Sequence, residues 1–179
     1  MSVLTADEIA RRRFDGSLEI EPYDQDDLGP NSYDVHLAST LHVYLGVELD
    51  TRRQNPTQPI EIPAHGYVIR PGELYLGSTV EVVGSSEFVV CLEGRSSLAR
   101  LGVSVHQTAG FGDLGFVSRW TLEITAIKPV RIYPGMRIAQ AVFHTTEGRI
   151  MKLYEGKYGK NPGAGVEASK SFEDREVNS

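Results

Sequence analysis

Cysteine is nearly absent from this sequence, because Cys91 is the only one among 179 residues. An intramolecular disulfide is therefore impossible, and we expect a reducing compartment, the cytoplasm. Cys91 lies in the apolar run of residues 88–92, which favours a small buried strand residue over a reactive thiol. The N-terminal residues also lack the positive charge and apolar run of a secretory signal.

Long apolar runs and an excess of basic residues are missing as well. No segment approaches the length of a membrane span, so we expect no membrane partner. The net charge of −6 argues against non-specific nucleic-acid binding, which depends on a basic surface. The acidic net charge does not argue against a small local basic pocket that binds a nucleotide.

The common metal and phosphate motifs do not occur. There is no His-x-Glu followed by Pro-Cys-x-x-Cys, and one cysteine cannot build the thiolate-rich zinc site of the usual nucleobase deaminases. There is no Walker-type glycine-rich loop and no Gly-x-Ser-x-Gly nucleophile elbow. Any deamination by this chain would have to activate water without zinc.

Short strands divided by turns dominate the pattern. Thr5 and Glu8 have the spacing of a capping box, which predicts a helix over residues 6–13. Pro-Gly turns and alternating polar and apolar residues predict an all-β fold, a barrel or jelly roll, in one domain over residues 1–179. The predicted strands cover residues 18–20, 32–37, 40–45, 60–62, 67–69, 74–83, 87–92, 102–106, 116–127, 130–132 and 137–144.

The C-terminal part has a different composition. Residues 154–165 are rich in glycine, with tyrosine and lysine interleaved, and the last residues are charged. Residues 154–179 are predicted to form a lid over a bound ligand, with plain disorder as the alternative.

Residues 93–102, Glu-Gly-Arg-Ser-Ser-Leu-Ala-Arg-Leu-Gly, form the most informative stretch. If a short helix starts at Ser96, its free N–H groups and the guanidinium groups of Arg95 and Arg100 suit a phosphate chain. The alternative is an ordinary N-cap serine beside a surface arginine. Gly94 and Gly102 on either side permit a ligand to approach the backbone closely.

Two carboxylates follow this stretch. Alternation along residues 120–126 places Glu123 on the polar face of a strand, opposite Leu122 and Ile124. Glu123 is either a solvated strand residue or a general acid and base in a pocket. Asp113, among glycines, is either a turn residue or a carboxylate that holds a sugar hydroxyl or a water.

These motifs together resemble the dCTP deaminase branch of the trimeric dUTPase superfamily. The resemblance extends over most of the chain and keeps the order and spacing of several separate motifs. It is carried by residues 29–35, 93–102, 106–116, 121–123, 134–138 and 156–158.

The resemblance implies a distorted β-barrel of jelly-roll type, a homotrimer with active sites between subunits, and a deoxycytidine nucleotide bound with Mg2+ through its phosphates, with no metal held by the protein alone. Glu123 would shuttle the proton as water attacks C4 of cytosine, and Ala109 would line the water site by its backbone. The implied catalytic residues are Glu123, Ser96, Arg100 and Ala109. The implied nucleotide-binding residues are Arg95, Ser96, Ser97, Arg100, Gln107, Thr108, Asp113, Phe116, Glu123, Lys157, Tyr158 and Asn161.

The sequence departs from the family pattern at several positions around the expected base pocket and lid. Gly112 and Leu114 replace the usual Ile and Pro on either side of Asp113, and residues 117–120 differ from the common x-Gly-x-Ile. Gln107 stands where a smaller residue is common, and Asn161 where Gln is usual.

The main expectation from the resemblance is zinc-independent deamination of dCTP to dUTP and ammonia. Residues 108–111, Thr-Ala-Gly-Phe, look more like the bifunctional members, which continue to dUMP and pyrophosphate. Two further functions are compatible with such a fold, a dUTPase alone and a nucleotide-sensing binder without catalysis. The acid/base candidate Glu123 counts against both of these.

Overall fold

Twelve β-strands make up most of the regular structure in residues 2–174, the part of the chain described by this computed structural model. The strands are β1 (Glu19–Glu21), β2 (Tyr33–His36), β3 (Thr40–Tyr44), β4 (Thr57–Glu61), β5 (Tyr67–Ile69), β6 (Tyr75–Gly84), β7 (Phe88–Gly94), β8 (Val103–Ser104), β9 (Phe111–Gly112), β10 (Val117–Ala126), β11 (Val130–Ile132) and β12 (Arg137–Thr145). The helices are α1 (Ala6–Phe14), α2 (Ser96–Ala99) and two 3-10 turns (Gln25–Asp27 and Ser171–Glu173). The predicted all-β class is confirmed.

The described strands form three antiparallel sheets. The largest has the order β4-β3-β6-β10-β8, with β1 also paired to β6, and places the long strand β10 between β6 and β8. A second sheet has the order β2-β12-β7-β9, and β11 pairs with β5 in a third. Hydrogen bonds among these strands leave the sheets open and do not close them into one barrel.

One hydrophobic cluster receives side chains from all three sheets. Leu122 from β10, Phe143 from β12 and Ile132 from β11 are all fully buried in it. Alternation produces this arrangement, because every second residue of an antiparallel strand points to the same side. The polar face of β10 is left to form the wall of a cavity.

Helix α1 begins at Ala6, as predicted, but the predicted capping box is wrong. Thr5 occupies the N-cap position in an extended conformation, and its side chain makes no capping hydrogen bond. Glu8 instead accepts hydrogen bonds from Arg11 Nε at 2.9 Å and Arg12 Nε at 2.8 Å. These guanidinium groups lower the pKa of Glu8 to about 2. Within residues 2–174, no helix has both the length and the apolar character needed to cross a bilayer.

Candidate active site

Strand β10 presents Glu123 at the border between core and cavity. Leu122 and Ile124 on either side of it are fully buried, whereas Thr121 and Glu123 are only partly buried. The alternation that the sequence predicts for this strand is therefore present. Glu123 is kept near the surface without facing open solvent on all sides.

The loop after β8 holds the Glu123 carboxylate. The backbone N–H of Gln107 donates to Glu123 Oε2 at 3.1 Å. The side-chain amide of Gln107 donates to the Glu123 carbonyl oxygen at 3.4 Å and to Thr125 Oγ1 at 3.1 Å. Gln107 thus fixes the loop against β10 and aims a donor at the carboxylate. It is a neighbour of the predicted catalytic group and does not line the cavity described next.

A cavity of about 410 Å³ lies along the polar face of β10. Its volume is in the range of small-molecule sites. Five of the residues predicted from the sequence line it, namely Ala109, Asp113, Phe116, Glu123 and Tyr158. The structure therefore brings the predicted base, sugar and lid residues to one place within a single protomer.

Eleven further lining residues were not among the predicted site residues. They are Tyr44, Leu74, Leu76, Phe111, Gly112, Arg119, Trp120, Thr121, Tyr154, Glu167 and Ser169. The alternation of β10 that singled out Glu123 also puts Arg119 and Thr121 on its side of the strand, so a signal for these two was available. Tyr44 and Glu167 come from distant parts of the chain, and no local pattern identifies them.

Trp120 explains two departures from the family pattern at once. A Cβ atom added to Gly112 would lie 2.8 Å from Trp120 Cζ2, with the neighbouring ring atom Cη2 nearer still. The indole is buried, donates from Nε1 to the Val83 carbonyl oxygen at 3.0 Å, and meets the Phe116 ring edge-on. Gly112 therefore leaves space for an aromatic ring that the common isoleucine at this position of the hairpin would exclude.

The C-terminal segment forms the outer wall of this cavity. The Pro162 carbonyl oxygen accepts a hydrogen bond from the Arg119 backbone N–H at 3.2 Å. Farther along the segment, the N–H of Glu167 donates to Thr121 Oγ1 at 3.0 Å, and the N–H of Ser169 donates to the Tyr44 hydroxyl at 3.1 Å. The segment thus follows β10 and covers it. Its function as a lid stays a prediction, and residues 175–179 of the predicted lid lie outside the described residues.

The predicted lid residues differ in their positions. Tyr158 lines the cavity, and its hydroxyl accepts a hydrogen bond from the Lys170 N–H at 2.9 Å. Lys157 is engaged by Asp174 Oδ1 at 2.6 Å, a contact that raises the pKa of the lysine. Lys157 and Asn161 do not line the cavity.

The predicted phosphate-binding residues lie apart from this cavity. Helix α2 follows β7, with Arg95 at its N-cap position and Ser96 as its first residue, so Ser96 is not the predicted cap. Ser96, Ser97 and Arg100 are exposed, and none of them lines the cavity. Thr108 is also exposed and outside it. Within one protomer, α2 and the Glu123 cavity are therefore separate features.

Asp34 on β2 anchors one of the predicted phosphate-binding arginines. Its Oδ2 lies 3.1 Å from Arg95 Nη2 and 3.8 Å from Arg137 Nε. Burial raises the pKa of the Asp34 carboxyl, and the two arginines only partly offset this effect. The carboxylate thus holds Arg95 in place at a cost in desolvation.

An Asp34→Asn variant is expected to gain stability relative to the wild type as the pH rises above 3.8, the ordinary pKa of an aspartyl group. A carboxyl whose folded-state pKa is raised contributes most stability when protonated and loses it as the pH rises through that pKa. Asparagine has no such loss. Urea unfolding of both proteins at several pH values measures the difference, and a difference that is constant or moves the other way would contradict the assignment.

The described residues offer no ready-made metal site. Across residues 2–174, no group of three or more His, Cys, Asp and Glu side chains is arranged to hold a metal ion. The donors at the cavity include two separate carboxylates, Asp113 and Glu123, on different elements. Carboxylate oxygens are ligands that Mg2+ accepts, so these two groups are candidate donors to such an ion.

Comparison with known proteins identifies the family. A family model described as dCTP deaminase-like matches residues 3–146. The chain belongs to this family. The matched range includes α2, the Gln107 loop and Glu123, and it ends before the C-terminal segment that covers the cavity.

Curated relatives of this dCTP deaminase-like chain match it over nearly their full length. A protein of Leptospira biflexa is 47% identical over 161 residues, covering 90% of this chain and 92% of the relative. A protein of Hathewaya histolytica is 44% identical over 174 residues, covering 97% of this chain and 99% of the relative. Both are named "dCTP deaminase, dUMP-forming".

The fold also has a solved counterpart. The structure of 2'-deoxycytidine 5'-triphosphate deaminase from Agrobacterium tumefaciens matches with a TM-score of 0.64 at 18% identity. The match covers 80% of this chain and 48% of that chain. At this identity the likeness concerns the fold, and it supports the confirmed mostly-β architecture.

Proposed function

We propose that this protein converts dCTP to dUMP, ammonia and pyrophosphate, with Glu123 as the proton-transfer group of the deamination. The observation that carries the proposal is the name shared by the curated relatives, "dCTP deaminase, dUMP-forming", at 41–47% identity. As a family member the protein is a hydrolase that acts on a nucleotide. The relatives favour the bifunctional reaction over the main sequence-based expectation, which ended at dUTP.

The geometry around Glu123 supports its role in the first reaction. A carboxylate on a rigid strand, bordered by buried residues and held by the Gln107 N–H, can take a proton from water in a fixed orientation. Water then adds at C4 of the cytosine while Glu123 passes the first water proton to N3, and the remaining proton of the added hydroxyl is transferred through Glu123 to the amino group as ammonia leaves. The exocyclic C–N bond breaks, and the water oxygen stays on the base.

The other cavity residues have roles in orienting the nucleotide. Ala109 would place its backbone beside the attacking water, and Asp113 would bind the deoxyribose 3′-hydroxyl. The rings of Phe116 and Tyr158 would exclude solvent around the sugar. Holding base and sugar in this way converts remote binding energy into orientation at C4.

A trimer would complete the site. Because α2 lies apart from the Glu123 cavity in one protomer, its phosphate-binding groups Arg95, Ser96, Ser97 and Arg100 would serve the cavity of a neighbouring subunit. Lys157 and Asn161 of the lid would close over the triphosphate after Lys157 leaves Asp174. Magnesium would bind the phosphate oxygens and neutralise charge there during pyrophosphate release.

Product analysis tests this proposal. The full chain is incubated with dCTP and Mg2+, and separately with dUTP and Mg2+, while ammonia, dUTP, dUMP and pyrophosphate are measured. We expect ammonia, dUMP and pyrophosphate in equal amounts from dCTP. Accumulation of dUTP would indicate a deaminase alone, dUMP from dUTP without ammonia from dCTP would indicate a dUTPase alone, and binding without turnover would indicate a sensor.

A further inference from the structure

Arg119 is the only cationic side chain among the described residues that line the Glu123 cavity. The same lining contains three carboxylates, Asp113, Glu123 and Glu167. Glu167 is neutralised by Lys170, whose Nζ lies 2.6 Å from Glu167 Oε1. Arg119 is thus the one lining group whose charge attracts an anion into this cavity.

The guanidinium of Arg119 has no partner in the described part of the chain. Its Nε is buried, and no hydrogen bond, ion pair or ring contact of its side chain occurs within residues 2–174. Arg95 and Arg137, by contrast, both have carboxylate partners. A buried guanidinium donor without an acceptor is costly, so such a group normally serves a ligand or an ion.

The backbone holds Arg119 firmly. Its N–H donates to the Pro162 carbonyl oxygen of the C-terminal segment. The pairing of β10 with β6 shifts register between Arg119 and Thr121, and such irregularities redirect side chains at functional sites. Arg119 also shares a strand with Glu123, so its position relative to the proposed reacting group is fixed.

Three groups of a deoxynucleotide project from its sugar ring: the base, the 3′-hydroxyl and the 5′-phosphate. In the proposed function, Glu123 faces the base and Asp113 binds the 3′-hydroxyl. We infer that Arg119 binds the remaining group, the 5′-phosphate adjacent to the sugar. This inference rests on the proposed function and adds a phosphate contact outside α2.

Two sets of arginines would then divide the triphosphate. Arg119 binds the first phosphate inside the cavity of one protomer. Arg95 and Arg100 of α2 lie outside that cavity and bind the outer phosphates. Guanidinium groups suit both tasks, because their paired N–H donors match phosphate oxygens.

Binding measurements separate these contributions. Isothermal titration calorimetry is performed with dCMP and with dCTP plus Mg2+, on the full chain carrying Glu123→Gln so that no turnover occurs. Deoxycytidine is measured by competition against dCMP. Arg119→Gln should weaken dCMP and dCTP by the same factor, about tenfold or more, and leave deoxycytidine unchanged. As a matched control, Arg100→Gln should weaken dCTP and leave dCMP unchanged.

The Arg119→Lys variant keeps the positive charge but lacks the paired N–H donors of the guanidinium group, so its affinity for dCMP should be a few-fold lower. This variant tests the inference if Arg119→Gln does not fold. The inference is overturned if the Arg119 variants leave dCMP affinity unchanged, or if deoxycytidine loses as much affinity as dCMP. Failure of the Glu123→Gln parent to bind dCTP would instead remove the proposed function and this inference with it.

Discussion

A Glu123→Gln variant is expected to release ammonia from dCTP at least ~10³-fold more slowly than the wild type. Glutamine has nearly the same shape and keeps an oxygen to accept the Gln107 N–H. It cannot take a proton from water, so binding survives while proton transfer fails. The dissociation constant for dCTP should therefore change only a few-fold. Ammonia release and calorimetric titration with dCTP measure the two quantities separately.

Glu167→Gln is the matched control for this prediction. Glu167 lines the same cavity, but both of its carboxylate oxygens are occupied, Oε2 by the Gly159 N–H at 2.8 Å and Oε1 by Lys170 Nζ. It is therefore not free to serve as a base, and its variant should retain most of kcat. A Glu123→Gln protein that keeps its rate, or a Glu167→Gln protein that loses as much, would contradict the assignment.

Restoring the family's common isoleucine at position 112 is expected to destabilise the protein by about 3 kcal/mol. The new Cβ would overlap the ring of Trp120 and would also lie 3.1 Å from the Val90 carbonyl oxygen. The buried indole cannot move without losing its hydrogen bond to Val83. Urea unfolding measures the loss, and reduced dCTP affinity should accompany it because Gly112 and Trp120 both line the cavity.

The double variant Gly112→Ile/Trp120→Ile supplies the control. Trp120→Ile alone should also be destabilising, by about 2–3 kcal/mol, since it leaves a void where the indole was. Together the two changes should cost clearly less than the sum of the single effects, because the isoleucine at position 112 occupies space that the indole vacates. Strictly additive losses would show that the two positions do not compete for the same volume.

Local pattern was enough to predict the elements that carry the proposed catalytic group. Alternation along β10 depends only on strand geometry, so the partly buried position of Glu123 could be predicted from residues 120–126 alone. The boundaries of β5 and β11 are also as predicted, because Pro-Gly turns or apolar triplets delimit them. The two-residue strand β9 was not predicted, since its pairing with β7 leaves no periodic pattern in so short a run.

Features that depend on distant parts of the chain could not be predicted. The contact of Ser169 with Tyr44 joins residues far apart in sequence, and nothing local to either indicates it. The capping box failed because arginines one turn later competed for Glu8. Gly112 and Trp120 are separate departures in the sequence, and only the three-dimensional packing relates them to each other.

The order of residues in the sequence does not predict that α2 lies apart from the Glu123 cavity. Residues 93–102 and 106–123 are neighbours in the chain, yet only the second set contributes to the cavity. Asp34, which pairs with Arg95, lies on β2 of the second sheet, whereas Glu123 lies on β10 of the largest sheet. The homotrimer that would bring them together stays a prediction.

The central claim is that two water molecules react with one nucleotide, the first at C4 of the base and the second at the triphosphate. Incorporation of oxygen from heavy-oxygen water tests this claim most directly. dCTP is incubated with the full chain and Mg2+ in H2-18O, and the products are analysed by mass spectrometry. We predict that dUMP carries one heavy oxygen at C4 of the base. A second heavy oxygen should be found either on the phosphate of dUMP or on pyrophosphate. The Glu123→Gln protein should leave the base unlabelled. Labelled dUTP as the end product, or full labelling of the base by the variant, would contradict the account.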